Sequence, residues 1–351
     1  MINAGIIGCG FVGGALKDLQ TTRYQWIDNC KTIGLLLVIL GHGRLFPESY
    51  QQFIYSFHMP LFFILSGLLY KYKSAKETLL HDIRRLIIPY LLINCICLFA
   101  QYGILFLRGG LTWEACYTRF IGIFVVACHT GAFPPVSTPT WFIITLFFSR
   151  MLLSLSDNKT YRYLLFVGSV LCFVLMKKIE IDTWLPIDSA LMSIPFIVFG
   201  IELSPFKAKV IDKRGVFFIS CFAIVCFLIL FIANNYNGLI DMAWSSYGRN
   251  LAIFYVNGFI GSCALMALNK IVPPISSKIE EFCTTISKGA LLVIGFNLLF
   301  VMAFQTTAEK IIYPHPIHPL IGIIIALVIL YFFYWMTKFC QRYFQVILGT
   351  K

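Results

Sequence analysis

Residues 26–70 read WIDNCKTIGLLLVILGHGRLFPESYQQFIYSFHMPLFFILSGLLY. Asp28, Lys31, His42 and His58 fall in or beside the two apolar segments of this stretch. Ionisable groups are costly inside a bilayer, so four of them this close together mark a functional site. The rest of the chain supplies the bilayer context. Of the 351 residues, 59% are hydrophobic and 13% charged, with a mean hydropathy of +0.81. A soluble core of this size could not hide that much apolar surface. A membrane barrel would alternate apolar and polar residues, whereas Gly34–Leu40 and Ile321–Phe333 are apolar on every face. The expectation is an all-α, polytopic integral membrane protein, and an enzyme.

Ten transmembrane helices can be read, at 32–46, 53–70, 86–107, 139–155, 162–178, 189–204, 215–233, 250–269, 288–305 and 318–338. Several are shorter than the about 17–25 residues that a bilayer core requires, so their polar flanks must complete the crossing. Residues 118–128 are also apolar but too short to span, which suits a re-entrant or interfacial segment. The basic residues test this count. All but seven of the 28 lysines and arginines precede the first span or follow an even-numbered one, as Lys71, Lys73 and Lys76 do after the second. The positive-inside rule then places both termini in the cytoplasm. The net charge of +12 is in this reading a topology signal, with the anionic lipid of the bilayer as a partner. Nucleic acid is not expected, because the charges alternate with spans and form no single patch.

Most of the 12 cysteines lie within apolar spans, where a free thiol acts as a small hydrophobe, and no Cys/His spacing suits a metal. Residues 1–22 form a leader of uncertain origin whose Gly8-Cys9-Gly10-Phe11-Val12-Gly13 matches GxGxxG, with Asp28 20 residues beyond Gly8. Locally this resembles the opening of a nucleotide-sugar dehydrogenase. A dinucleotide domain needs a complete βαβ unit, and the first span begins too soon for one. No metal or permanently bound cofactor is expected, and the functional domain is 23–351.

The first span has a geometry of its own. At about 100° per residue, Lys31 and His42, eleven positions apart, fall within about 20° of one helical face. Asp28 lies at i,i+3 from Lys31, where opposite charges can pair. His42 stands some 16 Å deeper than Lys31 at about 1.5 Å per residue, so a polar column runs inward from one surface.

Asp28 followed by Lys31-x10-His42, then Ser56-Phe-His58-Met-Pro60 running to Ser66-Gly67, then Arg84-Arg85 ahead of Pro89-Tyr90, resembles the membrane-bound acyltransferase family 3. The likeness runs from about Arg23 to Phe339 and is nearest to the fucose 4-O-acetylase-like branch. Pro139-Thr-Trp141-Phe142 is a fainter echo. Ser287 to Asn297 is similar to a late family segment that often ends in His, from which Asn297 departs. The resemblance implies an O-acyltransferase of the bacterial inner membrane that moves an acetyl or other acyl group from cytoplasmic acyl-CoA to a hydroxyl of a surface or exported glycan. Polysaccharide-synthesis machinery is an implied partner.

In that scheme His42 acts as general base or as transient acyl acceptor. Asp28 assists catalysis by orienting a basic partner or the donor, since about 21 Å of helix keeps it from touching His42. Lys31, Arg84 and Arg85 stand where CoA phosphates would arrive, or serve only as topology anchors. His58 assists catalysis, binds the acceptor or caps a helix. Trp141, with Trp113, Tyr117 and His129 of the outer loop, either stacks on sugar rings or anchors the interface. Glu114 is that loop's one carboxylate, and the Tyr313–Pro319 turn, with His315 and His318, reads as structural. A glycan exporter is the alternative class, although no internal repeat of the kind transporters show is visible.

Overall fold

The computed structural model describes residues 23–42, 47–126, 133, 135–181, 183–209, 213–272, 276–312 and 318–350. The leader with its glycine motif, His129 and the Tyr313–His315 part of the outer turn lie outside the described residues. Fourteen α-helices are described, and the only strands among the described residues form a two-stranded hairpin. In chain order the helices are α1 (Gln25–Gly41), α2 (Glu48–Tyr55), α3 (His58–Leu68), α4 (Ala75–Asp82), α5 (Ile88–Leu107), α6 (Trp113–Ile121) and α7 (Trp141–Leu153). There follow α8 (Lys159–Lys178), α9 (Ile187–Leu203), α10 (Lys213–Asn237), α11 (Leu251–Ile271), α12 (Ser277–Lys288), α13 (Ala290–Ile312) and α14 (Pro319–Tyr343).

Helix stands at each of the ten apolar segments, but among the described residues seven helices are long and apolar enough to cross a membrane by themselves: the continuous run Ala75–Leu107, and α8, α9, α10, α11, α13 and α14. The three remaining segments give shorter helices for a local reason. Helix α1 has 17 residues and leaves helical geometry at His42, whose φ is −94° and ψ 137°. The segment 53–70 divides at Ser56–Phe57, where Phe57 takes φ −143°, into α2 and the 11-residue α3. Helix α7 has 13 residues and starts only after a 3-10 turn at Thr138–Thr140. In place of a span, residues 118–128 overlap the nine-residue α6, too short to cross.

Burial sorts the helices into layers. Every residue of α3 except Ser66 is buried, and α9 is buried along most of its length. Helices α8 and α10 instead present Leu164, Leu171, Phe217, Phe218 and Ile232 outward, as lipid-facing helices do when apolar on all sides. The two central helices touch backbone to backbone. A Cβ on Gly67 would collide with the Ile197 carbonyl, and one on Gly200 with the Ile64 carbonyl. Without a hydrophobic drive between helices in lipid, such close approach of small residues supplies the packing.

Candidate functional site

His42 and His58 face one cavity of about 230 Å³, with Tyr55 and Trp141 also in its wall. The short helices bring them together. Non-helical backbone at membrane depth survives where it is buried in protein or lines a cavity, and both breaks do so here: His42 is the end of α1 and His58 the start of α3. Tyr55 stacks on His58 with ring centroids 5.1 Å apart and lies 6.3 Å from His42. Its hydroxyl donates to the Gly41 carbonyl at 2.8 Å, which holds the end of α1 against α2.

The two imidazoles carry the same local bond. His42 Nδ1 lies 2.6 Å from the Val38 carbonyl and His58 Nδ1 2.9 Å from the Ile54 carbonyl. A carbonyl oxygen only accepts, so Nδ1 bears the hydrogen in each ring and Nε2 keeps its lone pair when the ring is neutral. That tautomer suits proton abstraction or nucleophilic attack from Nε2.

A carboxylate reaches this cavity from an unexpected direction. Asp241 belongs to the hairpin between α10 and α11, in which Ile240 pairs with Tyr247 and Asp241 with Ser246. Ser189 of α9 anchors the hairpin by donating to the Met242 carbonyl at 2.7 Å. Burial pushes the Asp241 carboxyl up to about 6, against the backbone N–H groups of Ala243 and Trp244, which favour its charged form. It is the one carboxylate between two long apolar runs, so composition could have flagged it. Its place beside the histidines depends on the hairpin, for which the sequence gives no register.

A second cavity, of about 610 Å³, opens at the Lys31 end of α1. Lys31, Lys71, Lys73, Arg85, Arg150 and Lys288 supply its positive charge. Part of that charge is spent internally. Arg150 holds the buried Asp82 by Nε–Oδ2 at 2.6 Å and Nη2–Oδ1 at 3.2 Å, with His81 Nδ1 2.7 Å from Asp82 Oδ1. Arg85 lies in a π-helical turn, Ile83–Ile87, and reaches the cavity, whereas exposed Arg84 is not in its wall. The chain's end closes on this turn, with Gly349 at φ +64° against the Arg85 carbonyl and no room for a Cβ.

The residues singled out in the sequence therefore divide between two places. His42, His58 and Trp141 meet in one cavity, Lys31 and Arg85 in the other, and Asp28 and Arg84 line neither. Asp28 is taken by Arg23 instead of Lys31, with Nε–Oδ2 at 2.5 Å and Nη2–Oδ1 at 2.9 Å. The flat guanidinium satisfies both carboxylate oxygens at once, which a lysine cannot do. Arg23 also donates to the Thr284 carbonyl at 3.3 Å, tying the start of α1 to α12. Trp113, Tyr117 and Glu114 stand exposed on α6, away from both cavities. His318 caps α14, its Nδ1 accepting from the Leu320 N–H at 3.3 Å. Asn297 is fully buried, donates to the Ile294 carbonyl at 2.8 Å and lines neither cavity.

A family model described as an acyltransferase domain, that of acyltransferase family 3, matches residues 24–336. No match to the chain is found among curated proteins or among solved structures.

Proposed function

The chain belongs to acyltransferase family 3, and from that premise we propose that it transfers an acyl group, acetyl in our reading, from acyl-CoA to a hydroxyl of a cell-surface or exported glycan. The observation that carries this reading is the pair of cavities at the two ends of one face of α1, basic at Lys31 and histidine-bearing at His42. Phosphate and pyrophosphate groups match the basic end, because Arg and Lys donate charge-assisted hydrogen bonds to them. The thioester of a donor held there points along α1 toward His42.

At His42 the chemistry is a proton relay. Nε2 takes the proton of the acceptor hydroxyl as its oxygen attacks the thioester carbonyl. The C–S bond then breaks with its electron pair on sulfur, and the imidazolium returns the proton to the departing CoA thiolate. Transient acylation of Nε2 before transfer to the hydroxyl uses the same lone pair. Trp141 and His58 fit the acceptor side, Trp141 as an apolar face for a sugar ring. Asp28, through Arg23 and α12, sets the position from which α1 presents Lys31. The basic cavity faces the cytoplasm of a bacterial inner membrane in this scheme, with both termini on that side. The acceptor chemistry follows the fucose 4-O-acetylase-like branch.

Membrane vesicles carrying the full chain, fed acyl-labelled acetyl-CoA, provide the test. Alkali-labile, ester-linked label should accumulate in vesicle glycan, and His42→Ala should reduce it about a hundredfold or more while CoA binding persists. Labelling by His42→Ala at the wild-type rate would remove His42 from the reaction, and no labelling by the wild type with any acyl-CoA would overturn the donor assignment.

A further inference from the structure

The two cavities share part of their wall. Phe62 of α3 and Ile294 of α13 line both of them. Both side chains are buried, at 7% and 4% exposure, and they stand between the Lys31 and His42 ends of α1. The Phe62 ring is wedged between two helices. On one side it meets Phe142 edge-on with centroids 5.9 Å apart. On the other its tip rests against Gly34 of α1, where an added Cβ would stand 2.8 Å from Cζ. The wall of the larger cavity combines Lys71, Lys73, Arg85 and Lys288 with apolar Leu65, Phe142 and Leu291. The smaller cavity beyond leaves about 230 Å³ for the reacting groups of donor and acceptor together.

We propose that Phe62 and Ile294 form the gate through which the acyl thioester reaches His42, and that the space they leave restricts transfer to short, unbranched acyl groups. This rests on the acyl-CoA reading above. With its carbonyl at His42 Nε2, the acyl carbon chain lies in the smaller cavity, whose wall includes Phe62 and Ile294, so each further methylene competes with those side chains for room. A single methylene in a tight apolar pocket changes specificity by about 10- to 200-fold. Specificity at this site is therefore set by two residues that take no part in the chemistry.

The experiment compares labelled acetyl-, butyryl- and hexanoyl-CoA in vesicles carrying the full wild-type chain, Phe62→Ala or Ile294→Ala, with ester-linked label as readout and CoA binding as the check on folding. Wild type should strongly prefer acetyl, and either truncation should raise the butyryl-to-acetyl ratio of kcat/KM by about tenfold or more. Phe62→Leu and Ile294→Val, which disturb packing less, should move the ratio in the same direction by less. Ile294→Phe should lower acetyl transfer with CoA affinity unchanged. An unaltered chain-length profile in variants that still bind CoA would overturn the gate while leaving the acyl-CoA reading intact. A wild-type chain that consumes none of the three donors would overturn both.

Discussion

Asp241 shows how much one side chain in the histidine cavity can be tested by itself. Its carboxyl stands at about 6, against an ordinary value of 3.8, because burial penalises the charged form. A raised carboxyl binds its proton more tightly in the folded chain, so its contribution to stability is fully present below about pH 3.8 and is lost as pH rises through about 6. At about 1.4 kcal/mol per pKa unit the loss approaches about 3 kcal/mol above that range. Asp241→Asn keeps an oxygen to accept from the Ala243 N–H, a bond of 3.0 Å, and cannot ionise. Thermal unfolding followed by tryptophan fluorescence in detergent, from about pH 4 to 7.5, should show the wild type falling relative to the variant as pH rises. Parallel curves would show that Asp241 is not buried as described. The same residue marks a boundary of legibility: His42 and Lys31 could be placed on one face by helical spacing, whereas Asp241 joins the wall of the histidine cavity only through the fold. Arg84 and Arg85 mark another, because the π-helical turn that sends Arg85 to the cavity and leaves Arg84 outside has no signature in their adjacent positions.

Among the elements, short helices build the site and close helix contacts hold it. The apolar runs were readable because unbroken hydrophobicity reports burial in lipid whatever the neighbours are. The break at Ser56–Phe57 is marked in the sequence only by Pro60, which has no N–H to bond the Ser56 carbonyl four residues back and belongs in the first turn of a helix. Tertiary contacts hold the broken segment in place: Ser262 of α11 donates to the Phe57 carbonyl at 3.3 Å, and Phe57 lies against Gly261, where a Cβ would stand 2.6 Å from its ring. Behind this break, α3 is braced on α9 through Gly67 and Gly200, each facing a backbone carbonyl of the other helix. Backbone cannot step aside as a flexible side chain can. Gly67→Ala and Gly200→Ala should each destabilise the protein by about 1–3 kcal/mol or more, read as a lower unfolding midpoint in detergent. Gly168→Ala on α8, where a Cβ meets nothing within 4 Å, is the control and should change the midpoint little. Equal midpoints for all three variants would show that the α3–α9 contact does not bear on stability.

For the whole molecule, charge is distributed unequally between the two cavities, and in the proposed reaction this sets the side on which the donor binds. The histidine cavity has no lysine or arginine in its wall among the described residues, while the other has six. The sequence singled out Lys31 and Arg85 on the donor side; Lys71, Lys73, Arg150 and Lys288 join them only in the fold, which gathers all six into one wall. On the proposed function a polyanionic donor binds at that wall through their shared field, with the internally paired Arg150 contributing least. CoA affinity, measured by calorimetry on the full chain in nanodiscs, should fall about tenfold on Arg85→Gln and again on Lys288→Gln, since a hydrogen bond to a charged group is worth about 1.5–3 kcal/mol. Raising salt should weaken wild-type binding, and should weaken the double variant less, because fewer screened contacts remain. Arg84→Gln removes an equal charge from the neighbouring position but leaves the cavity wall intact, so its affinity should stay within about twofold of wild type. If Arg84→Gln and Arg85→Gln weaken CoA equally, the general field of the basic surface binds the donor and the cavity does not; if neither does, the phosphates of the donor lie elsewhere.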